Sequence, residues 1–153
     1  MAGTTPDRVT RIEQEHRSLR KDMDDLERFA RDETRTEDFS DWRLQLVWQL
    51  RDFENRLLKH FDLEEEGGFM QDVITVSPHS RRKVEMLKAE HEQIAVRLEG
   101  LIAQLKRMQE KEGEKLQRLR LELKEIMEMI REHENEEHHL IQGAYYREYG
   151  GQA

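Results

Sequence analysis

Apolar residues recur at every third or fourth position through four separate stretches of this chain, and that step commits it to long helices with one buried face. The first stretch supplies Val9, Ile12, Leu19, Met23 and Leu26, and the second Phe39, Trp42, Leu46, Leu50, Phe53 and Leu57. The third supplies Val84, Leu87, Ile94, Leu98, Leu101, Leu105 and Met108, and the fourth Leu116, Leu119, Leu123, Ile126, Ile130 and Leu140. With 39% charged and 35% hydrophobic residues, composition alone would also fit a disordered chain. The spacing argues against that reading.

Helix punctuation predicts helices at about 6–31, 39–66, 78–110 and 115–141 in a single 153-residue domain. Thr4-Thr5-Pro6-Asp7 offers a cap, an early proline and an acid for the positive end of the first helix dipole. Gly67-Gly68 stops the second helix, and Ser77-Pro78 starts the third. Residues 67–77 read as a non-helical connection, with Asp72 to Val76 as a candidate extended piece. Phe69, Met70, Val73, Ile74 and Val76 in it are expected to fold back over the end of the bundle. Gly113 marks a tight turn between the last two helices, and residues 143–153 form a polar tail. Gly100, mid-helix, suggests a close helix contact, and the two tryptophans and the methionines read as core. Short links between long helices imply an all-α, antiparallel, up-down-up-down four-helix bundle with shallow crossing angles.

Several partners and chemistries drop out. The net charge is −8 with no basic stripe, so nucleic acid is not an expected partner. No apolar run approaches a membrane span, and Met1 to Arg11 has no apolar core of the signal-peptide type. A cytoplasmic location is the default expectation. The absence of cysteine excludes disulfides, zinc–thiolate sites and thiol catalysis.

Against this background six polar residues stand on the apolar seams: His16, His60, Glu64, His91, His133 and Glu137. Burying one without a partner costs several kcal/mol, so six in one core must satisfy each other or a cation. His60 and Glu64 lie one helical turn apart, as do His133 and Glu137. His91 and His133 are equally far from the turn at Gly113, and comparable distances relate the other helices, so all six converge on one layer. That layer lies toward the end of the bundle bearing the termini and the 67–77 connection. The pattern repeats internally: a histidine, then H-x-x-x-E on the next helix, with offsets of 44 and 4 residues and then 42 and 4. Imidazole with carboxylate suits iron, manganese or zinc. Two carboxylates able to bridge, and two histidines for each metal, suit a dinuclear centre with open positions for a bridging oxygen, water or O₂.

This ordered set resembles the pattern of the hemerythrin-like (HHE cation-binding) domains, across residues 7 to 140. The resemblance implies a non-haem di-iron centre in which Glu64 and Glu137 bridge and the four histidines are terminal ligands. Oxygen-carrying hemerythrins have a fifth histidine, one turn from the one on the third helix, and an aspartate five residues after the last. Here Leu87 and Ala95 flank His91, and Glu137 follows His133 by four. One histidine fewer should make the two irons more alike and more open. It moves the reading from plain oxygen carriage toward sensing, or toward redox chemistry with O₂, peroxide or nitric oxide. Between these the residues do not choose.

Other readings are weaker. A lone seam histidine is ordinarily a satisfied core residue, and a metal-free His–Glu network in an interaction bundle is the plain alternative to a metal site. A ferritin-like site needs Glu-x-x-His on two helices; Glu13-x-x-His16 and Glu136-x-x-His139 have that spacing, but Glu13 and His139 are off the seams. His138 and His139 read as surface residues or residues behind the ligands, and His79 as part of a helix start. Glu15, Glu65, Glu66, Glu90 and Glu92 read as solvated faces, with Glu65 and Glu90 placed to support a metal-bound histidine from behind. Tyr145, Tyr146 and Tyr149 follow the site and are expected mainly to pack.

Overall fold

The computed structural model describes residues 5–32, 38–109 and 113–146. In chain order it contains α1 (Thr5–Arg31), α2 (Phe39–Glu65), a short α3 (Phe69–Val76), α4 (Arg81–Arg107) and α5 (Gly113–Ile141). A 3₁₀ turn, Pro78–Ser80, leads into α4, and a π-helical turn, Gln142–Tyr146, extends α5. The long helices pack in a ring, α1 on α2, α2 on α4, α4 on α5 and α5 on α1. That is the order an up-down-up-down chain gives. Thr4, residues 33–37, the turn at 110–112 and Tyr149 lie outside the described residues.

Local chemistry explains most boundaries. The Asp38 carboxylate accepts the Asp41 backbone N–H at 3.1 Å, capping α2. Gly68 has φ +93°, a left-handed conformation that lets the chain leave α2 and turn at once into α3. The third seam helix stops at Arg107 rather than 110, with Lys106 and Arg107 on its negative dipole end. The fourth starts at Gly113, two residues earlier than its apolar pattern indicates.

The 67–77 segment is helical, not an irregular or extended connection. Phe69, Met70 and Val73 form an i, i+1, i+4 face that is buried, and the Arg8 guanidinium donates to Asp72 at 2.6 Å, pinning α3 to α1. Ile74 packs at the margin, whereas Val76 is exposed. Three further expectations fail. Trp48 is 76% exposed: it lies two positions from both Leu46 and Leu50, hence about 200° around the helix from the seam. Met86 is also exposed, and nothing approaches the Cβ direction of Gly100, so no close helix contact explains that glycine. The polar tail begins later than residue 143, because Ala144 is buried and Tyr145 half-buried in the π-helical turn.

The core is divided in two. A large apolar cluster runs from Leu19, Leu57, Ile94 and Ile130 toward the α4–α5 turn. A smaller one gathers Val9, Ile12, Leu87 and Ile141 beneath Phe69, Met70 and Val73 of α3. On every long helix the six seam polar residues fall between these clusters, so a polar layer is closed off from water above and below. Among the described residues, no helix is long and apolar enough to cross a membrane.

Candidate metal centre

Each of the six side chains reaches the layer because it takes a turn of a seam that is otherwise apolar. His16 is 4% exposed, His60 1%, Glu64 0%, His91 4%, His133 1% and Glu137 0%. They form two groups, His16–His60–Glu64–Glu137 and Glu64–His91–His133–Glu137, in each of which the ligand atoms lie within 4.8 Å of one another. Glu64 and Glu137 belong to both groups. His91 Nε2 is 3.0 Å from Glu64 Oε1, His60 Nε2 is 3.4 Å from Glu64 Oε2, and His133 Nε2 is 3.3 Å from Glu137 Oε1. His16 Nε2 lies between the carboxylates, 3.7 Å from Glu64 and 3.3 Å from Glu137.

Despite these short separations, the four Nε2 atoms and all four carboxylate oxygens have no aligned hydrogen bond. Eight fully buried polar atoms facing one another unbonded would be a large penalty in a finished core. Two donors about 2.1 Å from a common ion lie roughly 3.0–3.4 Å apart, at octahedral or tetrahedral angles. The separations observed here approach that range. Donor chemistry, spacing and unsatisfied atoms thus all fit metal ions.

Three of the four histidines are held from behind. Glu65 Oε2 meets His91 Nδ1 at 2.6 Å, Glu90 Oε1 meets His133 Nδ1 at 2.8 Å, and Glu15 Oε1 meets His60 Nδ1 at 3.4 Å. An acceptor on Nδ1 fixes the tautomer that leaves Nε2 free for a metal. Glu65 and Glu90 were legible in this role; Glu15 was not, and it is no solvated face. Phe61 also escaped the sequence reading. It stacks on the His91 ring with centroids 3.9 Å apart and 14° between planes. Glu134 escaped too: it is 4% exposed, with neither oxygen hydrogen-bonded. Phe61 and Glu134 each follow a seam histidine by one residue, on the flank of the buried stripe, and that position is the signal that could have found them.

The electrostatics follow. Burial works against the charge on Glu64, but His16, His60 and His91 outweigh it and hold its carboxyl well below the usual range. His60 is pushed up to about 9: burial opposes its charge, and Glu15 and Glu64 overcome that. At His133 burial prevails over Glu90 and lowers the imidazole. Burial raises Glu134 to about 7. His138 and His139 are exposed on α5, and His79 is exposed in the 3₁₀ turn beside Ser77. Glu66 and Glu92 are exposed, as expected.

Among the described residues, surface openings reach the layer from two sides. Between α1 and α5 a crevice of about 160 Å³ includes Glu13, His16, Arg20, Glu134 and His138 in its wall. Between α2 and α4 a wider groove of about 680 Å³ is walled by Leu58, Phe61, Ala89 and His91 together with charged residues, Asp62, Lys88 and Glu92 among them.

The sequence matches the family described as the hemerythrin HHE cation binding domain over residues 7–144. Comparison with curated proteins and with solved structures gives no significant match. Four long packed helices, a buried His/Glu layer and a family match over nearly the whole chain agree, and the chain belongs to the hemerythrin HHE cation-binding domain family.

Proposed function

We propose that the layer holds two iron ions and binds O₂ or a related small ligand, peroxide or nitric oxide, for sensing, binding or redox chemistry. The observation that carries this is the set of eight buried, unbonded donor atoms in two groups that share Glu64 and Glu137. Manganese or zinc would suit the same donors, and iron is favoured because it is the metal that gives this ligand set a use for O₂. When bound, the ion pair would supply open coordination positions and electrons to a small ligand. Glu64 and Glu137, facing both groups, would bridge; His16 and His60 would complete one side, and His91 and His133 the other. The apolar clusters above and below exclude water, and the α2–α4 groove gives a small uncharged molecule an approach past Phe61.

Metal analysis of protein purified from iron-supplied cells, without chelator, tests the reading. Two irons per chain are expected, with occupancy falling in His60→Ala and Glu137→Ala; a metal-free wild type of equal stability would overturn it. An O₂-dependent absorption band that reverses on deoxygenation would mark binding or sensing. Sustained turnover of peroxide or Fe²⁺ would mark a redox enzyme instead, a reading favoured by the groove that opens onto His91.

A further inference from the structure

The internal repeat that builds the layer also shows where the layer is uneven. His16 and His91 are 75 residues apart, as are Glu15 and Glu90; His60 and His133, and Glu64 and Glu137, are 73 apart. Carrying the 73-residue offset outward pairs Phe61 with Glu134 and Glu65 with His138. His91 therefore has an aromatic ring on its face and a carboxylate on its outer nitrogen. At the equivalent place beside His16 stand a buried carboxylate, Glu134, and an exposed histidine, His138.

The outer carboxylates run around the ring of helices in one direction. Glu15 of α1 serves His60 of α2, Glu65 of α2 serves His91 of α4, and Glu90 of α4 serves His133 of α5. The step from α5 back to α1 is the one left open. Among the described residues the Nδ1–carboxylate bonds are those of His60, His91 and His133, and His16 has none, while Glu134 of α5 is buried in the wall of the crevice that His16 also lines, with both oxygens unbonded. Its nearest cation, the Arg20 guanidinium, stands 3.9 Å away, beyond hydrogen-bond reach. An orphaned buried carboxyl and the histidine that lacks an outer carboxylate thus line one crevice from adjacent helices.

We propose that Glu134 is the positioning residue for His16: when His16 Nε2 holds a metal, Glu134 accepts the Nδ1–H and closes the ring of four outer carboxylates. The assignment rests on the metal-binding reading above. It makes Glu134 a support and not a ligand, and it gives the half of the site nearest α1 a contact that forms with the metal.

The test uses the full chain with ¹⁵N-labelled histidine, loaded with Zn²⁺ as a diamagnetic probe. Long-range ¹H–¹⁵N spectra should show four slowly exchanging Nδ1–H protons. In Glu134→Ala the His16 proton should exchange freely while the other three are unchanged, and one of the two zinc ions should bind on the order of 10-fold more weakly. Glu134→Gln, whose amide oxygen still accepts, should restore the proton's protection, which a merely structural role would not. An unaltered His16 proton in Glu134→Ala, with both zinc ions bound, would overturn this assignment alone. So would outright loss of one zinc in Glu134→Gln, since Glu134 would then be a direct ligand. A wild-type chain that takes up no zinc would overturn this inference and the metal reading together.

Discussion

The two halves of the layer share their carboxylates and differ in what stands behind them. On the α4–α5 side His91 and His133 are tied at 2.6 and 2.8 Å to Glu65 and Glu90, and Phe61 lies flat against His91. On the α1–α2 side the outer bond among the described residues, His60 to Glu15, is 3.4 Å long, and Glu134 stands where the repeat would put an aromatic ring. One half looks out through a narrow charged crevice, the other through a wider groove in which Leu58, Phe61 and Ala89 alternate with charged side chains such as Asp62, Lys88 and Glu92. An equal histidine count implies two alike metals. The structure shows alike sets of candidate donors with unlike supports. Ligand identity decides which metal can bind, whereas the groups behind the ligands decide how firmly each is held and how it is tuned.

The largest expected effect separates what is shared from what is not. Glu64→Ala or Glu137→Ala should cost both metal ions, because each carboxylate faces both groups, whereas His91→Ala should cost one. Elemental analysis reads this directly, and loss of the same single ion from all three variants would break the shared-carboxylate arrangement. Next in size is Phe61→Ala. Removing a buried aromatic costs about 3 kcal/mol, which is roughly 6–12 °C in Tm for a chain of this length. The loss should come with weaker metal binding confined to the His91 half; equal weakening of both ions would show that Phe61 supports the bundle and not that histidine. Smaller again is the contrast between Glu90→Ala and Glu15→Ala. Cutting the short bond should weaken one ion by about 10-fold or more, and cutting the long one by only about 3-fold, as read by chelator competition. Equal effects would erase the asymmetry.

How much of this the sequence shows depends on where a residue sits relative to its seam. His16, His60, Glu64, His91, His133 and Glu137 were legible because each interrupts a three-four apolar series, and the structure brings all six into one layer. Phe61, Glu134 and Glu15 were not, since residues on the flanks of a seam are buried or exposed according to how closely the next helix approaches. That is a tertiary fact. Trp48 is the reverse case, an aromatic whose type suggests core but whose register, opposite Leu46 and Leu50, puts it in solvent. For α3, eight residues rich in Val and Ile after two glycines carry no helix signal of their own. Packing against α1, α2 and α4 makes the helix, as tertiary contact commonly does for short segments.

Glu54 carries the comparison out of the layer. It lies on α2 within the apolar half, is 7% exposed, and has Arg51 at 3.3 Å. Burial above all, and then the neighbouring Glu99 carboxylate, raise it from an ordinary 4.5 to about 7, against the pull of Arg51. A carboxyl whose folded value is raised stabilises the fold fully below about 4.5, and that stability is lost as pH climbs through about 7. Carboxylates held low, such as Glu136 beside Lys83, act in the opposite direction and lose their contribution toward acid. Glutamine is neutral throughout. Glu54→Gln should therefore melt with the wild type near pH 4 and above it at pH 8, by at least about 1 kcal/mol or roughly 2–4 °C. Because Glu54 stands apart from the six, metal occupancy should not change. A variant that loses metal, or whose advantage is the same at both pH values, would mean that the two halves of the core do not carry their buried charges independently.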